Sequence, residues 1–129
     1  MRLRIACASD GNGKFYPGHF GDAEVFLVYA ISSEGHTLER TVENTVPEEK
    51  THGDPEKARG IASLMKGLGV SVLVNRQFGP NIVSIKKAFL PVVPDTDDIE
   101  RAVRMLSERY GDIEALARGP PPYNVYFLR

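Results

Sequence analysis

The chain has 129 residues, 42% hydrophobic and 26% charged, with a net charge of −1. That is one domain's length with an ordinary globular composition, which indicates neither disorder nor a membrane span. No apolar run approaches the roughly 20 residues of a spanning helix, Met1-Arg2-Leu3-Arg4 lacks a signal peptide's apolar stretch, and near-neutral charge provides no basic stripe for nucleic acid. The single Cys7 can form neither an intramolecular disulfide nor a four-cysteine cluster, so a reducing, cytoplasmic setting is expected.

The first strand is expected where Met1, Leu3, Ile5 and Cys7 alternate with Arg2, Arg4 and Ala6, a half-buried pattern of period two. Glu24 to Ile31 is almost continuously apolar, as in a strand covered on both faces. Ser32-Ser33-Glu34-Gly35 is a short glycine-bearing turn, which predicts a hairpin. In the returning strand Leu38, Val42 and Val46 are expected on one face. From Asp54 the period becomes helical: Asp54 caps, Pro55 takes the first position, Ala58, Ile61, Ala62, Met65 and Leu68 form a stripe, and Gly69 stops it. Val70 to Val74 reads as a buried strand. Pro80 opens a shorter helix with Ile82, Val83 and Ile85 inward, and Leu90 to Val93 reads as a further strand. Asp95 to Asp98 caps a third helix, with Ile99, Val103, Leu106 and Tyr110 on one face and Gly111 at its end. After this domain (residues 1–118), residues 119–129 form an extended tail, whose segment Tyr123 to Leu128 either adds a strand or covers a surface.

This order implies an α/β fold with a five-stranded mixed sheet, its second strand antiparallel to both neighbours, flanked by three main helices. It is the ribonuclease-H-like, three-layer order of elements.

Three glycine-bearing loops stand out: Ser9 to Ala23, His52-Gly53-Asp54, and Asn75 to Asn81. Loops at the carboxyl ends of parallel strands converge on one crevice, and a helix start favours anions. His19, between Gly18 and Phe20, is a candidate metal ligand; its alternative is a surface histidine bonded to backbone. For His52 a ligand and a plain loop residue are equally good readings. His36 reads as a solvated turn residue and Cys7 as a packed core thiol. Asp10 and Asp54 hint at a metal-dependent nuclease but lack the further carboxylates that chemistry needs.

The phrase Gly18-His19-Phe20-Gly21-Asp22-Ala23 followed by Phe26, then His52-Gly53, Gly69-Val70 and Phe78-Gly79, in order over residues 1 to 110, resembles dinitrogenase iron–molybdenum cofactor biosynthesis proteins. That family includes small accessory proteins and the domain fused behind the radical enzyme that makes the cofactor precursor. Gly53 followed by Asp54-Pro55, and Asn75-Arg76-Gln77 after the fourth strand, depart from its glycine-rich and small-residue pattern. The resemblance implies binding and carriage of the iron–molybdenum cofactor or a related metal–sulfur cluster, not catalysis. The implied partners are assembly or acceptor proteins, with a second copy of the chain as a candidate and neither nucleic acid nor membrane among them. The implied cofactor-binding set is Ser9, Asp10, Gly11, Gly13, His19, Phe20, Gly21, His52, Gly53, Gln77, Phe78 and Gly79, with His19 and His52 as metal ligands. The competing readings are an interaction or regulatory module that has lost the cluster, and a small ribonuclease-H-like nuclease.

Overall fold

The computed structural model describes residues 2–47 and 55–129. Its elements are β1 (Leu3–Ser9), β2 (Val25–Ser32), β3 (Gly35–Glu43), α1 (Pro55–Gly67), β4 (Val72–Val74), α2 (Ile82–Ile85), β5 (Leu90–Pro94), α3 (Ile99–Glu108), α4 (Tyr110–Ala117) and β6 (Tyr126–Leu128). The strands form one sheet in the order β3-β2-β1-β4-β5-β6. β2 runs antiparallel to β1 and β3, while β1, β4, β5 and β6 are mutually parallel. The mixed α/β sheet is therefore as expected, but it has six strands rather than five. The sixth comes from the tail, where Leu128 is fully buried and Phe127 on the opposite face is 57% exposed.

β1 is buried on both faces rather than one. Leu3, Ile5 and Cys7 face one core with Ile99, Val103, Leu106 and Ile113 from α3 and α4. Ala6 and Ala8 face the other, with Phe20, Phe26, Ile61 and Met65. The alternation was present, but its second phase is small and apolar, which a central strand requires. Helices thus cover both faces of the sheet.

Three local expectations are corrected. A bulge at Glu39 shifts the register, so that Tyr29 pairs with Leu38 and Val28 with Arg40. Leu38 and Val42 consequently lie on opposite faces, because one extra residue inverts the alternation. Val83 is 67% exposed, since the single turn of α2 can bury only Ile85 and part of Ile82. Gly111 does not stop a helix: the chain turns at Arg109 and continues as α4, giving four helices among the described residues. The α1 terminus behaves as expected. Gly69, at φ +72°, lets Val70 N–H donate to Met65 and its own N–H donate to Lys66, the paired bonds of a Schellman stop. Asp98 caps α3 by accepting from Arg101 N–H. The Asp54 cap lies outside the described residues. No helix is long and apolar enough to cross a membrane among the described residues.

β6 closes the sheet edge beside β5 by burying Leu128. Leu128→Ala is expected to cost about 2–4 kcal/mol of unfolding free energy. Phe127→Ser, on the exposed face, should stay within about 0.5 kcal/mol. Denaturant melts of the two variants check the contrast, and equal effects would show that β6 does not depend on Leu128.

Candidate functional site

The segment between β1 and β2 has little regular structure beyond a 3-10 turn at Phe20–Asp22, yet it is held firmly. Phe20 is fully buried, stacked at 5.4 Å on Phe78 and tilted at 4.9 Å against Phe26. Its N–H donates to the Gln77 carbonyl at 2.9 Å. Two asparagine amides fix the flanks. Asn75, fully buried at the end of β4, donates to the Gly18 and Gln77 carbonyls, both at 3.0 Å. Asn44 donates to the carbonyls of Gly21 at 2.9 Å and Ala23 at 2.8 Å. The Oδ1 of Asn75 is buried without a partner among the described residues, and the two carbonyls facing its amide rule out the flipped orientation.

His19 therefore has a defined seat. Its ring lies over Gly79, where an added Cβ would come within 2.5 Å of Nδ1. Gly79 has φ +72°, so both its backbone and its missing side chain are required here. The Nδ1 of His19 is 3.9 Å from Asp22 Oδ2, and the ring is about one-third exposed. The other oxygen of Asp22 is 3.8 Å from Nζ of Lys57, whose side chain is 97% buried. Lys57 was not anticipated from sequence. It precedes Ala58 on α1 and lies four residues before Ile61, on the edge of the apolar stripe, and that placement was the available signal.

The expected site residues fall into two groups on either side of the Pro17–Phe20 segment. Asp10 and Gln77 share a groove of about 450 Å³ with Lys14, Tyr16 and Arg76. His19, Gly21 and Phe78 line a small pocket of about 20 Å³ with Asp22 and Lys57. Ser9, Asp10 and Gly11 line a third, shallow groove with Tyr16. Several N–H groups of this loop are already engaged: Gly11 donates to Ser9 Oγ, and Asn12 and Lys14 donate to Asp10 Oδ1. Gly13 is at φ +84°, and its carbonyl accepts from Ile99 at the start of α3. Phe20 and Phe78 are core side chains, which leaves only their backbone near a ligand. His52 and Gly53 lie outside the described residues. A wider cleft of about 600 Å³ sets Asp22, Glu24 and Glu43 against Lys57 alone, a poor surface for an anion.

Cys7 is fully buried, and burial followed by the charge of Glu100 pushes its thiol up, so it is a packed core thiol. His36 is not simply solvated. Its Nε2 is 3.6 Å from Glu100, which also accepts from the Tyr29 hydroxyl at 2.5 Å, tying the hairpin to α3.

The structure is a mixed α/β sheet with loops gathered at the ends of β1 and β4. The family described as dinitrogenase iron-molybdenum cofactor matches residues 1–109, and the chain belongs to that family. Among solved structures, the chain is similar to a protein of Methanocaldococcus jannaschii provisionally described as a dinitrogenase. The two share 16% identity with a TM-score of 0.58, covering 84% of this chain and 91% of the other. At that identity the likeness speaks to fold alone. No curated protein matches the chain.

Two outcomes follow from this geometry. Gly79→Ala should displace the His19 ring and strain the turn, costing about 1–3 kcal/mol. Shifted His19 ring signals in NMR, together with a lower denaturation midpoint, check it. Native Cys7 should resist thiol alkylation until denaturant is added; mass spectrometry of iodoacetamide-treated protein reads this directly, and rapid native labelling would contradict the packed-thiol assignment.

Proposed function

We propose that this protein carries an iron–molybdenum cofactor or a related metal–sulfur cluster during cofactor assembly, as an accessory protein without catalysis of its own. The seat of His19 carries this reading. An imidazole held against Gly79, with a carboxylate near one nitrogen, is the arrangement by which a second residue orients a metal-binding histidine. Family membership supports the cargo, and the central order β3-β2-β1-β4-β5 supports a ribonuclease-H-like description of the sheet.

Size bears on where the proposed cargo would sit. A space of about 20 Å³ admits one water-sized atom, not a cluster. The cluster therefore rests outside, over His19, with backbone of the Gln77–Gly79 turn beside it. A carrier that must release its cargo is served by such a shallow site with few ligands. Gly21 is a proposed contributor of contacts at its rim, Ser9, Asp10 and Gly11 line a separate groove, and His52 and Gly53 lie outside the described residues. The nuclease alternative needs several convergent carboxylates, and no group of three or more His, Cys, Asp or Glu comes together among the described residues.

Anaerobic titration with isolated iron–molybdenum cofactor, followed by visible absorption, tests the proposal. His19→Ala should weaken binding at least roughly tenfold while leaving the fold intact. His36→Ala, at the far end of the sheet, should leave affinity unchanged. Equal affinity for wild type and His19→Ala removes His19 as ligand. No binding by wild type removes the carrier reading, and an interaction module takes its place.

A further inference from the structure

Lys57 is an expensive residue to keep. Its side chain is 97% buried, and the nearest carboxylate among the described residues, Asp22, lies at 3.8 Å, within ion-pairing range but beyond a hydrogen bond. Asp22 is also shared with His19. A buried ammonium so loosely matched is not a stabilising arrangement; an apolar side chain of similar volume usually serves a fold as well or better. Its stem passes over Gly21, where an added Cβ would meet Cε at 3.6 Å, and Lys57 lines both the small pocket beside His19 and the wider cleft that holds Glu24 and Glu43.

We infer that Lys57 is the anion-recognition residue of this site. Resting on the carrier reading, the inference adds a substrate class: the cargo presents an anionic oxygen or sulfur atom to the pocket beside His19. The space there holds one such atom. With Lys57 in place the charges of Asp22 and Lys57 cancel; without it, Asp22 alone would face an anionic cargo. Lys57 thereby offsets the repulsion that Asp22 would otherwise impose on an anionic atom.

The test compares two probes on wild type, His19→Ala and Lys57→Met. The first is isolated iron–molybdenum cofactor, titrated anaerobically. The second is cobalt(II) alone, whose paramagnetic broadening of the His19 ring signals reports weak coordination. Lys57→Met should melt at or above the wild-type temperature, bind the cofactor at least roughly tenfold more weakly, and retain or strengthen the cobalt response. His19→Ala should lose cofactor binding, and cobalt should no longer broaden the backbone amide signals of Gly18 and Phe20 in that variant as it does in wild type. Cofactor binding that depends on His19 but is unchanged in Lys57→Met overturns the role of Lys57 and leaves the carrier reading standing. Loss of binding by neither variant removes His19 and Lys57 together. A melting temperature lowered by several degrees in Lys57→Met shows that the lysine serves the fold, and this also overturns the inference. Should Lys57→Met fail to fold, Lys57→Gln, neutral and polar, replaces it with the same expectations for both probes.

Discussion

The burial of Phe20 is the contact on which the site depends. A fifteen-residue connection between two strands would ordinarily move as a surface loop, yet its middle is inserted into the core between Phe26 and Phe78. Fully burying one aromatic ring contributes on the order of 2–3 kcal/mol. That is enough to hold the chain on either side, and the neighbours of Phe20 are the residues with chemistry: His19 before it, Asp22 just after. The asparagine amides at 44 and 75 then fix the flanking carbonyls, so side chains carried on irregular backbone are positioned almost as on a helix. Such preorganisation lowers the ordering cost of binding a ligand.

The same seam accounts for a local cost. Asn75 holds Gly18 and Gln77 together with its amide nitrogen while its oxygen stays buried and unpaired. Such an acceptor costs about 1–3 kcal/mol. An aspartate would turn a carboxylate toward two carbonyl oxygens, and an alanine would free both loops. Among side chains of this size, the asparagine is the one whose two N–H donors face both acceptors. The departure from small residues at this point in the sequence is thus what joins the two loops of the site.

What was legible in the sequence followed periodicity. The hairpin, the stripe on α1 and the cap at Asp98 are patterns in which each residue reports its own environment. The misreadings arose where position outranked pattern. Ala6 looks neutral beside Arg2 and Arg4, and only the central place of β1 makes it core. Tyr126 to Leu128 is too short to be assigned as a strand without knowing that the β5 edge is open. The glycines at 18, 21 and 79 and the histidine at 19 stand out because they lie in glycine-bearing loops and carry the family resemblance. Lys57 did not, since a lysine in the first turn of a helix is ordinarily solvated. Its burial depends on a contact with Asp22 across 35 positions of chain, which no local pattern reports. Phe20 was read as part of the ligand surface because it sits inside the motif, whereas its work is done from beneath.

In the proposed site one carboxylate serves two partners. Asp22 directs one oxygen to His19 and the other to Lys57, at 3.9 and 3.8 Å, and neither contact is short enough to be saturated. A metal drawing on the imidazole makes the ring more positive and pulls Asp22 toward it, which loosens its hold on Lys57 and leaves the ammonium more available to an anionic atom. The converse follows by reciprocity, since an anion engaging Lys57 returns Asp22 to His19 and stiffens the ligand. Metal coordination and anion contact then reinforce each other through a single side chain when one cargo supplies both. A cluster bringing both a metal and an anionic atom gains from this coupling, whereas a free metal ion or a free anion gains half of it. Discrimination of that kind suits a shallow site, because it depends on the combination of features in the cargo rather than on depth of enclosure, and leaves the cargo open to an acceptor.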